Sequence, residues 1–88
     1  MNIETIWNNI KLNEGEIFYK KRGGEYTYTV YNDFIMVDGI KGSRITKNTF
    51  AKAIKIENPT PQKISLEGCR GPSYIYGIIT DKRIKDVI

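Results

Sequence analysis

The chain contains no histidine and only one cysteine, Cys69, in 88 residues. Without imidazole it cannot build a Ser-His-Asp triad or a zinc site with imidazole ligands. One thiol cannot supply a thiolate cluster. The lone cysteine also excludes an intramolecular disulfide, which fits a reducing, cytoplasmic setting. Long apolar runs are missing too: the longest, Tyr74-Ile75-Tyr76-Gly77-Ile78-Ile79, is far too short to cross a bilayer. Met1-Asn2-Ile3-Glu4 lacks the basic-then-apolar start of a secretory signal. No membrane partner is expected, and there are no internal repeats or low-complexity tracts.

These absences leave carboxylate chemistry open. Glu14 with Glu16, and Asp33 with Asp38, are the available acid pairs. Neither pair stands in a supporting motif, and all four acids fall near turn signals, where they serve solubility. The sequence therefore predicts no enzyme, no cofactor and no metal.

What is present is ordinary for a folded protein, with 40% apolar and 27% charged residues. The length allows a single domain, residues 1–88, with one small core. The net charge of +4 is unevenly placed. Residues 1–38 carry four Lys/Arg against six acids, and residues 39–88 carry ten against four, so the halves are −2 and +6.

Periodicity predicts an α+β fold. Ile3, Ile6, Trp7 and Ile10 form one helical stripe, with Asn2 as N-cap and Gly15 ending the run. Three strands follow at residues 16–21, 25–31 and 34–38, joined by turns at Arg22-Gly23-Gly24 and Asn32-Asp33. They form an antiparallel meander. Residues 39–42 connect to a second helix capped by Thr46, with Ile45 and Phe50 as the two ends of a hydrophobic staple. Prolines 59 and 61 end it, and residues 62–69 read as a short edge strand or a loop. Pro72 opens the last helix, whose apolar stripe is Tyr74, Ile75, Ile78 and Ile79. Ser73, Gly77 and Thr80 make a small-residue face that another backbone can approach. Residues 81–88 read as a fraying terminus, with Ile84, Val87 and Ile88 able to tuck back. The expected architecture is thus an N-terminal helix, a three-stranded antiparallel meander and two further helices packed on one sheet face.

Three features are candidates for function. The first is the basic set Lys41, Arg44, Lys47, Lys52, Lys55 and Arg70, joined by Lys20, Lys21 and Arg22 at a hairpin tip. Cations around a helix start suit phosphate, because free amides and the helix dipole favour an anion there. The same lysines also suit the solvated face of an amphipathic helix. The second is the tyrosine set Tyr19, Tyr26, Tyr28, Tyr31, Tyr74 and Tyr76, which suits base stacking on an open sheet face or half-buried strand positions. The third is Gly68-Cys69-Arg70-Gly71-Pro72-Ser73, a loop like a small anion cradle but without the spacing of a Walker loop. With no second cysteine and no histidine, Cys69 is expected to be a buried, inert thiol.

The order helix, three strands, helix resembles that of double-stranded-RNA-binding domains, in which a basic helix start meets phosphates. Gly39, Gly42, Ser43, Arg44, Lys47 and the helix through Ala51 and Ala53 are similar to that family's Gly-x-Gly-x-Ser-Lys-Lys-x-Ala-Lys segment. Here the spacing differs, the paired lysines and the Gly-Pro-x-His loop are absent, and an extra helix follows. The leading expectation is a non-enzymatic nucleic-acid-binding module, for DNA or RNA, that contacts phosphates through its basic second half. The alternative is a small protein–protein adaptor or inhibitor using the tyrosine-rich sheet or a strand edge.

Overall fold

The computed structural model describes residues 2–85, and they form an α+β globule around one core. The first helix, α1 (Ile3–Leu12), starts where the Asn2 side chain accepts a hydrogen bond from the Glu4 amide at 2.7 Å. Its stripe is the expected one, with Ile6, Trp7 and Ile10 buried. Trp7 anchors the core against Phe50, their ring centroids 6.0 Å apart.

The strands are more divided than the alternation predicts. Strands β1 (Phe18–Tyr19) and β2 (Glu25–Tyr26) make a small antiparallel hairpin. Its tip turns where the Gly23 amide donates to the Lys20 carbonyl at 2.8 Å and Gly23 takes φ +94°. Strands β3 (Tyr28–Val30), β4 (Phe34–Val37) and β5 (Arg44–Thr46) make a second sheet, in that order. The expected strand over 25–31 is therefore broken at Thr27. There the chain changes partners: the Thr27 carbonyl accepts from the Asp38 amide rather than continuing the ladder to β1. The Asn32-Asp33 turn is as read, with the Tyr31 amide donating to the Phe34 carbonyl at 2.8 Å.

Residues beyond the connection 39–42 also differ from the reading. Arg44–Thr46 is a strand before Thr46 becomes a cap. Ser43 closes this hairpin, accepting from the Val37 amide and donating to the Val37 carbonyl. The Thr46 hydroxyl then accepts from the Thr49 amide at the start of α2 (Lys47–Ala53). Ile45 and Phe50, the two staple residues, are both buried in the core.

Residues 62–69 are neither strand nor loop for most of their length. They hold α3 (Pro61–Leu66), started by a Thr60 side-chain cap on the Lys63 amide and by proline at the first helical position. Helix α4 (Pro72–Ile79) follows as expected. Its small-residue face has a specific occupant: a Cβ on Gly77 would collide with the Tyr19 carbonyl and the Tyr26 hydroxyl. The β1–β2 hairpin thus lies directly on α4.

The expected fraying over 81–85 does not occur. These residues carry α5 (Lys82–Lys85), with Ile84 fully buried. The Arg83 guanidinium stacks over Phe18 at 4.1 Å, bonds the Ile17 carbonyl at 2.7 Å and pairs with Asp81 at 2.9 Å. That pairing holds the Asp81 carboxyl below the usual carboxylate range. The Asn9 side chain donates to the Ile84 carbonyl at 2.9 Å and ties α5 to α1. Val87 and Ile88 lie outside the described residues.

The inner face of the larger sheet (Tyr28, Val30, Ile35, Val37, Ile45) packs into the core. The outer face carries Thr29, Tyr31, Phe34, Met36 and Arg44, none of them buried. Two core tyrosines fasten strands to different helices. The Tyr26 hydroxyl donates to the Tyr74 carbonyl of α4 at 2.7 Å, and the Tyr28 hydroxyl donates to the Ile10 carbonyl of α1 at 2.6 Å.

Candidate nucleic-acid interface

The basic residues separate into three groups once folded. Lys41 and Arg44, on the β4–β5 hairpin, meet Arg70 from the loop before α4. Together with Ile40, Gly71 and Tyr74 they line a groove of about 210 Å³. Lys20, Lys21 and Arg22, at the tip of the β1–β2 hairpin, line a second groove of about 420 Å³ with Pro61 and Ser73. The start of α4 stands between the two. Tyr74 forms part of the first groove and lies under the Lys20 ammonium, 5.6 Å from ring centroid to nitrogen. Lys21 lies over Tyr76 at 5.8 Å in the same manner.

The third group stands apart. Lys47 points to α1, where its ammonium bonds both carboxylate oxygens of Glu4 at 2.8 and 3.0 Å. Lys52 and Lys55 are exposed on α2 and just beyond it, and line neither groove. The cations expected around the start of the second helix are thus divided: Arg44 lies over Phe34 on the outer sheet face, bordering the groove that Arg70 and Tyr74 also line, and Lys47 turns to α1. The centre of convergence is the start of α4, not of α2.

The electrostatics of the two grooves are one-sided. No carboxylate lines either of them. Among the described residues, Lys20, Lys21, Arg22, Lys41, Arg44 and Arg70 form no ion pair. Six unneutralised cations in so small an area repel one another and raise the local potential, which favours a polyanion over a neutral ligand.

The Gly68–Ser73 loop contributes shape. Gly68 and Gly71 take φ +81° and +65°, so the chain doubles back and presents Arg70 to solvent. Cys69 between them is buried, 3.9 Å from the Thr49 carbonyl, and burial pushes its thiol pKa up. That is the environment of an unreactive thiol.

Two of the candidate acids, Glu14 and Asp38, are occupied with structure. Glu14 accepts from the Val30 amide at 2.6 Å, while the neighbouring Gly15 amide donates to the Tyr28 carbonyl. Both bonds cover the outward edge of β3. Asp38 accepts the hydroxyls of Thr27 and Thr29 at 2.6 and 2.7 Å, which lowers its pKa. Among the described residues no group of three His, Cys, Asp or Glu side chains is arranged to hold a metal ion. No described helix is long and apolar enough to cross a membrane.

The tyrosines divide between the two expected roles. Tyr26 and Tyr28 are core residues, Tyr74 and Tyr76 are partly buried beneath lysines, and Tyr19 and Tyr31 are exposed. One aromatic escaped the sequence reading. Phe34 stacks on Tyr31 across the Asn32-Asp33 turn, with Arg44 over its ring at 4.0 Å. The signal was available, since residues flanking a two-residue hairpin turn face each other across the strands. No protein-family model matches this chain, and no curated protein or solved structure is significantly similar to it.

Proposed function

We propose that this protein is a non-enzymatic nucleic-acid-binding module whose contact surface is the pair of cation-lined grooves flanking the start of α4. One observation carries the reading: six cations with no ion pair among the described residues line two adjoining grooves that contain no carboxylate. A phosphate backbone offers repeated negative charge to such a surface. Lysine and arginine that neutralise it release counterions, so the binding is salt-sensitive. Of the strand edges that the adaptor alternative could use, that of β3 is already occupied by Glu14 and Gly15.

The test is a salt titration of oligonucleotide affinity. An Arg44→Ala, Arg70→Ala double variant should bind all sequences more weakly, and each lost phosphate contact should lower the slope of log affinity against log salt by roughly 0.7–0.9. Lys47→Ala should leave that slope unchanged, because Lys47 is committed to Glu4. Absence of measurable binding to single- and double-stranded DNA and RNA at low salt would remove the proposal. An adaptor would instead keep its partner affinity when Arg44 and Arg70 are lost.

A further inference from the structure

The outer face of the larger sheet adjoins the Lys41–Arg44 groove and carries an ordered aromatic stack. Tyr31 and Phe34 lie with ring centroids 4.9 Å apart and planes only 14° from parallel. Tyr31 follows β3 on one side of Phe34, and Arg44 belongs to β5 on the other. Phe34 is therefore held between the Tyr31 ring and the Arg44 guanidinium. Both faces of Phe34 are in use, and one face of Tyr31 is covered by Phe34. Tyr31 is 48% exposed as a residue, and the stack on Phe34 leaves its other ring face uncovered by that partner.

Beside it runs a shallow depression whose walls include Tyr31, Met36, Asp38, Ile40 and Lys41. Its charges are polarised. Asp38 stands at one part of the wall, while Lys41 also belongs to the adjoining cationic groove with Arg44. A phosphate is repelled by the first and attracted by the second. A flat, uncharged ring system is what the free face of Tyr31 can take, and a carboxylate nearby accepts from an exocyclic amino group. A nucleotide unit carries both parts, phosphate toward Arg44 and Lys41 and base toward Tyr31.

We propose that the Tyr31–Phe34–Arg44 stack is a platform for an unpaired base, so that the nucleic acid held in the adjoining grooves is single-stranded. The inference rests on the nucleic-acid reading above. In a duplex each base is covered by its neighbours and offers no face to Tyr31. In a single strand bases splay out and stack on protein aromatics.

The experiment measures fluorescence anisotropy over a series of salt concentrations with three probes: a short oligodeoxycytidylate, the same strand with abasic sites, and a duplex of equal length. The base-bearing single strand should bind the unsubstituted protein more tightly than either of the others. Tyr31→Ala should weaken single-strand binding by roughly 5- to 150-fold without changing the salt slope, whereas Tyr31→Phe should retain it. If Tyr31→Ala also lowers the melting temperature, the abasic comparison on the unsubstituted protein decides. An abasic strand that binds as well as the base-bearing one overturns the platform. So does a duplex bound equally tightly and indifferently to Tyr31, with the nucleic-acid reading left standing. Failure of all three probes to bind at low salt removes both.

Discussion

Gly77 of α4 lies so close to the Tyr19 carbonyl of β1 that a single added methyl would overlap it. Replacing a helix-interior glycine by alanine ordinarily stabilises by about 1 kcal/mol through propensity. Here the hairpin backbone, and the Tyr26 hydroxyl that bonds Tyr74, must move away first. Overpacking of this kind costs about 1–3 kcal/mol, so the steric effect wins. Gly77→Ala should lower the melting temperature by several degrees, about 4–8 °C for each kcal/mol in a domain this small. A melting temperature that rises would show that the hairpin does not rest on α4.

Phe50→Ala tests the core. Phe50 is fully buried and packs against Trp7. Its truncation should cost about 3–5 kcal/mol, a large part of the roughly 5–15 kcal/mol that domains possess. Urea denaturation followed by Trp7 fluorescence gives the value directly. A midpoint that barely shifts would mean that α2 is not a core element.

Alkaline pH should destabilise the protein through two tyrosines. Burial raises the pKa of both Tyr26 and Tyr28 above the ordinary value of 10.0. Above pH 10 the unfolded chain releases these two protons while the folded chain retains them. The stabilising contribution is therefore complete below pH 10 and lost as pH rises beyond it, at about 1.4 kcal/mol per pH unit for each tyrosine. Urea melts at about pH 9 and about pH 11 should show this fall. A Tyr26→Phe, Tyr28→Phe variant should show a flatter alkaline limb, beginning from a stability lower by about 1 kcal/mol for each lost hydrogen bond. An alkaline limb as steep in the double variant as in the parent would assign the effect to other groups.

Chelation should change nothing. Dialysis against a strong chelator is expected to leave the melting temperature and any oligonucleotide affinity where they were, given the dispersed acids Glu14, Asp33 and Asp38. A clear loss of stability would point to a carboxylate-held ion.

Long, strongly periodic segments were readable from the sequence. The α1 stripe, the Thr46 cap, the burial of Ile45 and Phe50, the Asn32-Asp33 turn and the approach to Gly77 all follow from local residue chemistry. Helix α3 was missed although Thr60-Pro61 carries the same proline-first signal as Pro72. Only Ile64 of that helix is buried and Leu66 is 78% exposed, so no apolar stripe marks it. The break at Thr27 was invisible for a different reason. Alternation records which face a residue takes, and says nothing of which neighbour its backbone pairs with. The candidate site follows the same division. Its cations were identifiable by type, but their sorting between α1 and α4 depends on long-range packing, as the Lys47–Glu4 pair shows.

The bond between Asn9 and Ile84 joins residues 75 positions apart and has a kinetic meaning. Ile84 completes the packing on α1, so that helix has no finished site until the chain has extended as far as α5. Helix α1 is too short to persist alone in water. Closing so long a loop carries its entropic cost before its contacts repay it, which slows folding relative to a helical bundle of equal size. Until α5 docks, the part of the α1 surface that it covers stays open to other apolar chains.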